Sequence, residues 1–118
     1  MTVTLDGKSL ECMRFSENCV AVTTQWDAWA NNGYTRKVKV LGVVRTWVLN
    51  CVEDGIAWAS SCAKSYEDSA AKGTTLTLTV TDEVRLVNAS VCVLSVLIDV
   101  ENLAGKTIRY FTITLQEV

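Results

Sequence analysis

Three segments in the last third of the chain alternate apolar and polar residues: 74–81 (TTLTLTVT), 90–100 (SVCVLSVLIDV) and 107–118 (TIRYFTITLQEV). A period of two sends successive side chains to opposite faces, which marks half-buried strands. One stretch upstream has helical spacing instead. Ile56, Ala59, Ala63, Tyr66 and Ala70 recur at i, i+3 and i+4 within residues 54–72, and a narrow stripe of small residues lets a helix lie close to a sheet. Asp54 is read as its N-cap, Gly73 as its C′ residue and Lys72 as a cation at the negative end of the dipole. The expected fold class is therefore α+β, mostly β, with one flanking α-helix at about residues 54–72.

Composition supports this reading. Val, Thr and Ile occupy 35 of 118 positions, and β-branched side chains favour a pleated surface over a helix. A chain of this length fits one β-rich domain, residues 1–118, with a core of its own. Charged residues are 20% of the chain, below the usual ~25%, and mean hydropathy is +0.22. Excess apolar surface points to subunit contacts. No apolar run approaches the ~20 residues of a membrane span. The net charge of −2 gives no electrostatic reason for sequence-specific nucleic-acid binding, and Arg36-Lys37-Val38-Lys39 is a short basic cluster.

Nearer the N-terminus, residues 2–5 and 10–15 flank Asp6-Gly7-Lys8, a tight-turn signature that predicts a hairpin. Residues 19–24 continue as a third strand. Residues 25–35 (QWDAWANNGYT) show no clean period and read as a long loop or hairpin tip. From Arg36, Val38, Val40, Val43, Arg45, Trp47, Leu49 and Cys51 alternate around Gly42, which marks a bulge or bend in one long strand. Residues 90–100 are apolar on both faces and predict a strand covered on both sides. Cys92, Leu94, Val96, Ile98 and Val100 are assigned to one face, and residues 101–106 to a polar loop. Phe111, Ile113 and Leu115 are expected in the core, as are Trp47 and Trp58.

Chemistry is hard to find. The chain has no histidine, which removes the commonest general base and the usual partner of a Ser or Cys nucleophile. Carboxylates cluster at predicted element ends, where solvated charge explains them, and no calcium-loop spacing is present. The glycines never approach a phosphate-cradling motif. Five cysteines (Cys12, Cys19, Cys51, Cys62, Cys92) are an odd number without a C-x-x-C pair. They are read as free, mostly buried thiols. Cys51 is the one nucleophile candidate by position, and a core thiol explains it as well. No enzyme activity, cofactor or metal is expected. The residues with most to explain are Trp26, Trp29 and Tyr34. They are read as a partner interface, with cover for an open sheet end and ligand stacking as the other readings.

Over residues 42–118 the succession of a GVVRTWVLNC strand, a helix ending in KG, a TLTLTV strand, SVCVLSVLID and IRYFTITLQEV resembles phage tail and baseplate structural modules of the tail-tube, distal-tail and tail-terminator type. The resemblance implies a small β-sandwich or split barrel with one flanking helix. It further implies a ring, commonly of six subunits, around a DNA channel, joined to copies of itself and to neighbouring tail or baseplate proteins. Such a subunit is a virion tail component made in the host cytoplasm, an expectation consistent with the lack of a secretory signal in residues 1–15. Two other readings compete. One is a monomeric β-sandwich module binding carbohydrate or protein, and the other a secreted filament or surface-layer subunit.

Overall fold

In the computed structural model, residues 2–30 and 33–118 are described, without the side chains of residues 28–30 and 34. The chain forms β1 (Thr2–Leu5), β2 (Lys8–Leu10), β3 (Cys12–Ala30), β4 (Gly33–Asp54), a 3-10 turn (Trp58–Ser60), α1 (Cys62–Lys72), β5 (Thr75–Thr81), β6 (Val87–Leu103) and β7 (Lys106–Glu117). All seven strands belong to one antiparallel sheet in the order β2-β1-β5-β6-β7-β4-β3. The two edge strands, β2 and β3, are joined by Glu11 alone. One residue cannot cross an open sheet, so the sheet is rolled until its edges adjoin, and the Val52 N–H donates to the Glu11 carbonyl at 3.1 Å across that junction. Of the two expected architectures this is the split barrel.

Inward-facing residues at alternate positions fill the roll. Val3, Leu5, Leu76, Leu78, Val80, Trp47, Leu49, Val91, Phe111, Ile113 and Leu115 are all at most 5% exposed. The β1–β2 turn has φ +53° at Asp6 and +80° at Gly7, the positive pair that a two-residue hairpin turn requires. α1 packs against β6 and contributes buried Ala63 and Tyr66, whose hydroxyl donates to the Leu5 carbonyl at 3.3 Å.

Four expectations need correcting. The helix begins at Cys62, not residue 54, because Asp54 still pairs with Ile108 as the last residue of β4. Ser61 is the N-cap, its hydroxyl accepting from the Ala63 amide at 3.1 Å, while Gly73 closes the helix at φ +65° as expected. Trp58 lies on the 3-10 turn, 43% exposed, with the Arg109 guanidinium 5.2 Å from its ring centre. Residues 90–100 do not keep one parity. Val93 pairs with Leu115 but Ser95 with Thr114, so Leu94 is the extra residue of a bulge, and the inward face changes from Val91 and Val93 to Val96 and Ile98. Beyond Cys92, β6 has no β5 partner, so only the segment before the bulge is central. Finally, residues 101–106 are not a loop: the strands run to Leu103 and Lys106, and Ala104 (φ +51°) and Gly105 (φ +80°) make the turn.

The molecule measures 74 × 28 × 28 Å, with a radius of gyration of 19.4 Å. A compact chain of this length has about 13–14 Å. The excess comes from β3 and β4, which extend well beyond their neighbours.

Candidate assembly interface

β7 pairs with β4 only over Thr46–Asp54. From the pair Cys19↔Arg45 to Ala30↔Gly33, β3 and β4 therefore have, among the described residues, only each other as strand partners. At about 3.3 Å per residue, these twelve β3 residues make a two-stranded arm about 40 Å long, which accounts for the elongation. Within the segment 25–35, expected as a loop or hairpin tip, residues 25–30 and 33–35 continue the ladder through Trp26↔Lys37, Asp27↔Arg36, Ala28↔Thr35 and Trp29↔Tyr34. Asn31 and Asn32 lie outside the described residues. Gly33 has φ +105°, a conformation that side chains other than hydrogen resist.

Register sorts the arm into two faces. On the face continuous with the barrel core, Cys19, Ala21, Thr23, Gln25 and Asp27 oppose Arg45, Val43, Val40, Val38 and Arg36. The other carries Val20, Val22, Thr24 and Trp26 opposite Val44, Gly42, Lys39 and Lys37. Val22 pairs with Gly42 and Thr23 with Val40, making Leu41 the extra residue of a bulge, beside the glycine where a bend was expected. Because of it, Val43 and Val40 share a face despite being three residues apart.

Both faces expose apolar side chains. Val38, Val40, Leu41 and Val43 are 57–62% exposed, Val20 and Val22 50% and 43%, and Trp26 47%. An isolated two-stranded ribbon is marginally stable at best in water, and clusters of exposed apolar residues mark interaction surfaces. The ion pair between Arg36 Nε and Asp27 Oδ1 is long (3.4 Å) and exposed, so it adds little stability.

Of the sequence-predicted interface residues, Trp26 stands on the arm and does not cover a sheet end. The backbones of Trp29 and Tyr34 are cross-strand partners near its tip, and their side chains lie outside those described. Sequence reading missed the arm's length and its charge. Residues 19–45 hold four of the eleven basic residues and one of the thirteen acidic ones, giving the arm +3 and the rest of the chain −5. Counting charge by segment finds this split.

At the arm's root, loop 82–86 is tied to β3 by Arg85, which donates to both Glu17 carboxylate oxygens at 2.6 and 2.7 Å. That hydrogen bond holds the Glu17 carboxyl below its ordinary range. At the opposite end of the barrel, buried Glu53 accepts from Ser61 Oγ (2.7 Å), the Cys62 amide (2.7 Å) and Arg109 (2.9 Å). Burial pushes this carboxyl up, but the three donors outweigh burial and hold it below the usual range. Its oxygens are committed to the helix N-terminus and to Arg109, an arrangement that anchors α1. Cys51, the nucleophile candidate, is 1% exposed, and its hydrogen bond to Cys12, with burial, drives its thiol far up. It is the core thiol of the alternative reading. The described cysteines are free, but Cys19 is exposed on the arm, unlike the expectation of burial.

No family model and no curated protein matches the sequence. Solved structures do match it. A chain of the virion of a native gene transfer agent (GTA) particle aligns with 99% of this chain and 89% of its own length, at TM-score 0.59 and 10% identity. A chain of the tail of an empty GTA particle of C6 symmetry aligns over 95% and 83%, at TM-score 0.54 and 10% identity. The expected resemblance to tail modules holds at the level of the fold. It extends over the arm as well as the barrel, since nearly the whole chain is covered.

Proposed function

We propose that this chain is a structural subunit of a phage-tail-like particle, self-assembling into rings around a channel, with the β3–β4 arm as the element that reaches a neighbouring copy. The observation that carries the reading is the arm itself: a ribbon about 40 Å long that exposes apolar side chains on both faces and, among the described residues, has no third strand. Water is a poor environment for it. A second copy supplies a better one, because a +3 arm and a −5 body attract each other head to tail, and heterologous contacts of that kind form rings where the rotation between copies closes. The fold likeness to chains of GTA particles, one with C6 symmetry, supports a ring of six. Trp26, with Trp29 and Tyr34 near the tip, is assigned to the contact, since aromatic side chains dominate interface energetics. Neighbouring tail or baseplate proteins are the further partners, the assembled virion is the location, and synthesis takes place in the host cytoplasm.

The test shortens the arm. Replacing residues 23–41 by an Asn-Gly turn between Val22 and Gly42 keeps the barrel and removes most of the ribbon. Light scattering and negative-stain microscopy of the full chain at high concentration are expected to show rings or tubes, and of the shortened chain monomers. A full chain that stays monomeric, or a shortened one that assembles equally well, overturns the proposal.

A further inference from the structure

Cys12 and Cys51 meet at the barrel ends of β3 and β4, the end opposite the arm. They are direct cross-strand partners. The Val52 N–H bonds to the Glu11 carbonyl, and these residues flank the pair, so Cys12 and Cys51 face each other as a non-hydrogen-bonded pair. That is the closer antiparallel arrangement, with Cα atoms about 4.5 Å apart, inside the span of about 4.4–6.8 Å that a disulfide bridges. Cys51 is buried at 1% exposure while Cys12 is half-buried. One sulfur is open to a reagent and the other waits beneath it.

We propose that Cys12 and Cys51 are an oxidation site that closes to an intramolecular disulfide when the chain meets a peroxide. Cys12 attacks. Its thiolate displaces hydroxide from hydrogen peroxide to give a sulfenic acid, and the Cys51 sulfur then displaces that hydroxyl as water, losing its own proton. Two thiols and one peroxide yield one disulfide and two waters, with the sulfurs oxidised and the peroxide reduced. The hydrogen bond from Cys51 favours the Cys12 thiolate, lowering its pKa to about 7, which makes the exposed partner the better nucleophile. Cys62 is the competitor. It lies near enough to Cys51 to affect its charge, but burial and the Glu53 carboxylate push its thiol up.

The loop closed by this bond, residues 12–51, contains the whole arm. Oxidation thus ties the barrel ends of β3 and β4 together covalently, away from the arm's first pair Cys19↔Arg45, without touching the arm's faces. Bond closure on leaving a reducing cytoplasm rests on the reading of the chain as a particle subunit, whereas the chemistry does not.

The experiment uses the reduced full-length chain in dilute solution, one equivalent of hydrogen peroxide, intact mass and peptide mapping after alkylation. The expected product has lost two hydrogens, resists iodoacetamide in denaturant at Cys12 and Cys51, and yields a peptide linking them. Cys12→Ser loses no hydrogen, while Cys62→Ser and Cys19→Ser behave as the parent. Alkylation of Cys12 in the parent rises with a midpoint near pH 7. An oxygen added at Cys12 with Cys51 still alkylatable, a Cys51–Cys62 link, or a Cys19 link between chains overturns the assignment. Because the readout is made on unassembled chain, its failure is separate from a failure to form rings.

Discussion

β4 passes through two environments, the arm and the barrel. In the barrel, Trp47, Leu49 and Cys51 are at most 1% exposed, whereas in the arm Val38, Val40 and Val43 are 57–60% exposed. Both stretches are β-branched or apolar at alternate positions. What differs is the neighbours: β7 flanks β4 from Thr46 onward, and before that only β3 does. Strand-forming sequence fixes the pleat, and sheet topology fixes which part of it is covered. An apolar stretch that the fold leaves uncovered is where a second chain has most to gain.

The sharpest test of that contrast compares equal operations at the two ends of β4. Leu49→Ala is expected to cost about 3 kcal/mol in urea unfolding, within the range for buried Leu→Ala changes. Val40→Ala, deleting apolar atoms already in water, is expected to change the same measurement by less than about 0.5 kcal/mol. A comparable loss at both sites would mean that the arm folds back on the body in solution.

A second, similar cost separates barrel and arm through charge. Glu53→Ala removes the acceptor of Ser61, Cys62 and Arg109 and leaves Arg109, 16% exposed, without its partner, a loss of about 3 kcal/mol. Because the folded-state carboxyl is held below its unfolded value, its contribution is complete above the unfolded pKa and disappears as pH falls through the folded one. Thermal unfolding of Glu53→Gln should accordingly depend less on pH than the parent between about pH 5 and 3.

Strands with one buried face were legible from residue order alone. Residues 74–81 and 107–118 alternate because the barrel needs Leu76, Leu78, Phe111, Ile113 and Leu115 inside and tolerates Thr outside. The start of α1 was misread because Asp54 and Ile56 extend the helical spacing backwards, while the capping work is done by Ser61 and by Glu53, a strand residue. Residues 90–100 are apolar on both faces, so parity gave no warning of the Leu94 bulge. The arm tip reads as aperiodic for a physical reason. With Gln25, Trp26 and Asp27 all exposed, no buried face imposes alternation there, and only the pairing of residues 25–30 with 33–38 reveals them as strand. The redox pair was hidden too, since Cys12 and Cys51 are 39 positions apart and only the β3–β4 register brings them together.

Trp26 sharpens the contrast from the arm's side. At 47% exposure it has little packing to lose in the monomer, so Trp26→Ala should leave urea unfolding within about 0.5 kcal/mol of the parent. In the assembly an aromatic anchor is worth about 2 kcal/mol or more, which analytical ultracentrifugation would read as a roughly thirtyfold weaker association. Unchanged association with unchanged stability would remove Trp26 from the contact while leaving the arm's valines in place.

The smallest expected effect concerns the charge split. If the arm's +3 meets the −5 body of another copy, screening should weaken assembly as salt rises, the Debye length falling from about 10 Å at 0.1 M to about 3 Å at 1 M. Lys37 and Lys39 share the Trp26 face through their pairing with Trp26 and Thr24, so they are the cations nearest that contact. Removing both as Lys37→Ala and Lys39→Ala should lower association by about 1 kcal/mol at low salt, since exposed charge pairs are individually weak. It should also flatten the salt dependence, and at 1 M salt parent and variant should converge. Apolar burial has the opposite salt response, because excluded salts strengthen it. Assembly that strengthens with sulfate in both proteins alike would show that the valine faces, and not the lysines, choose the neighbour.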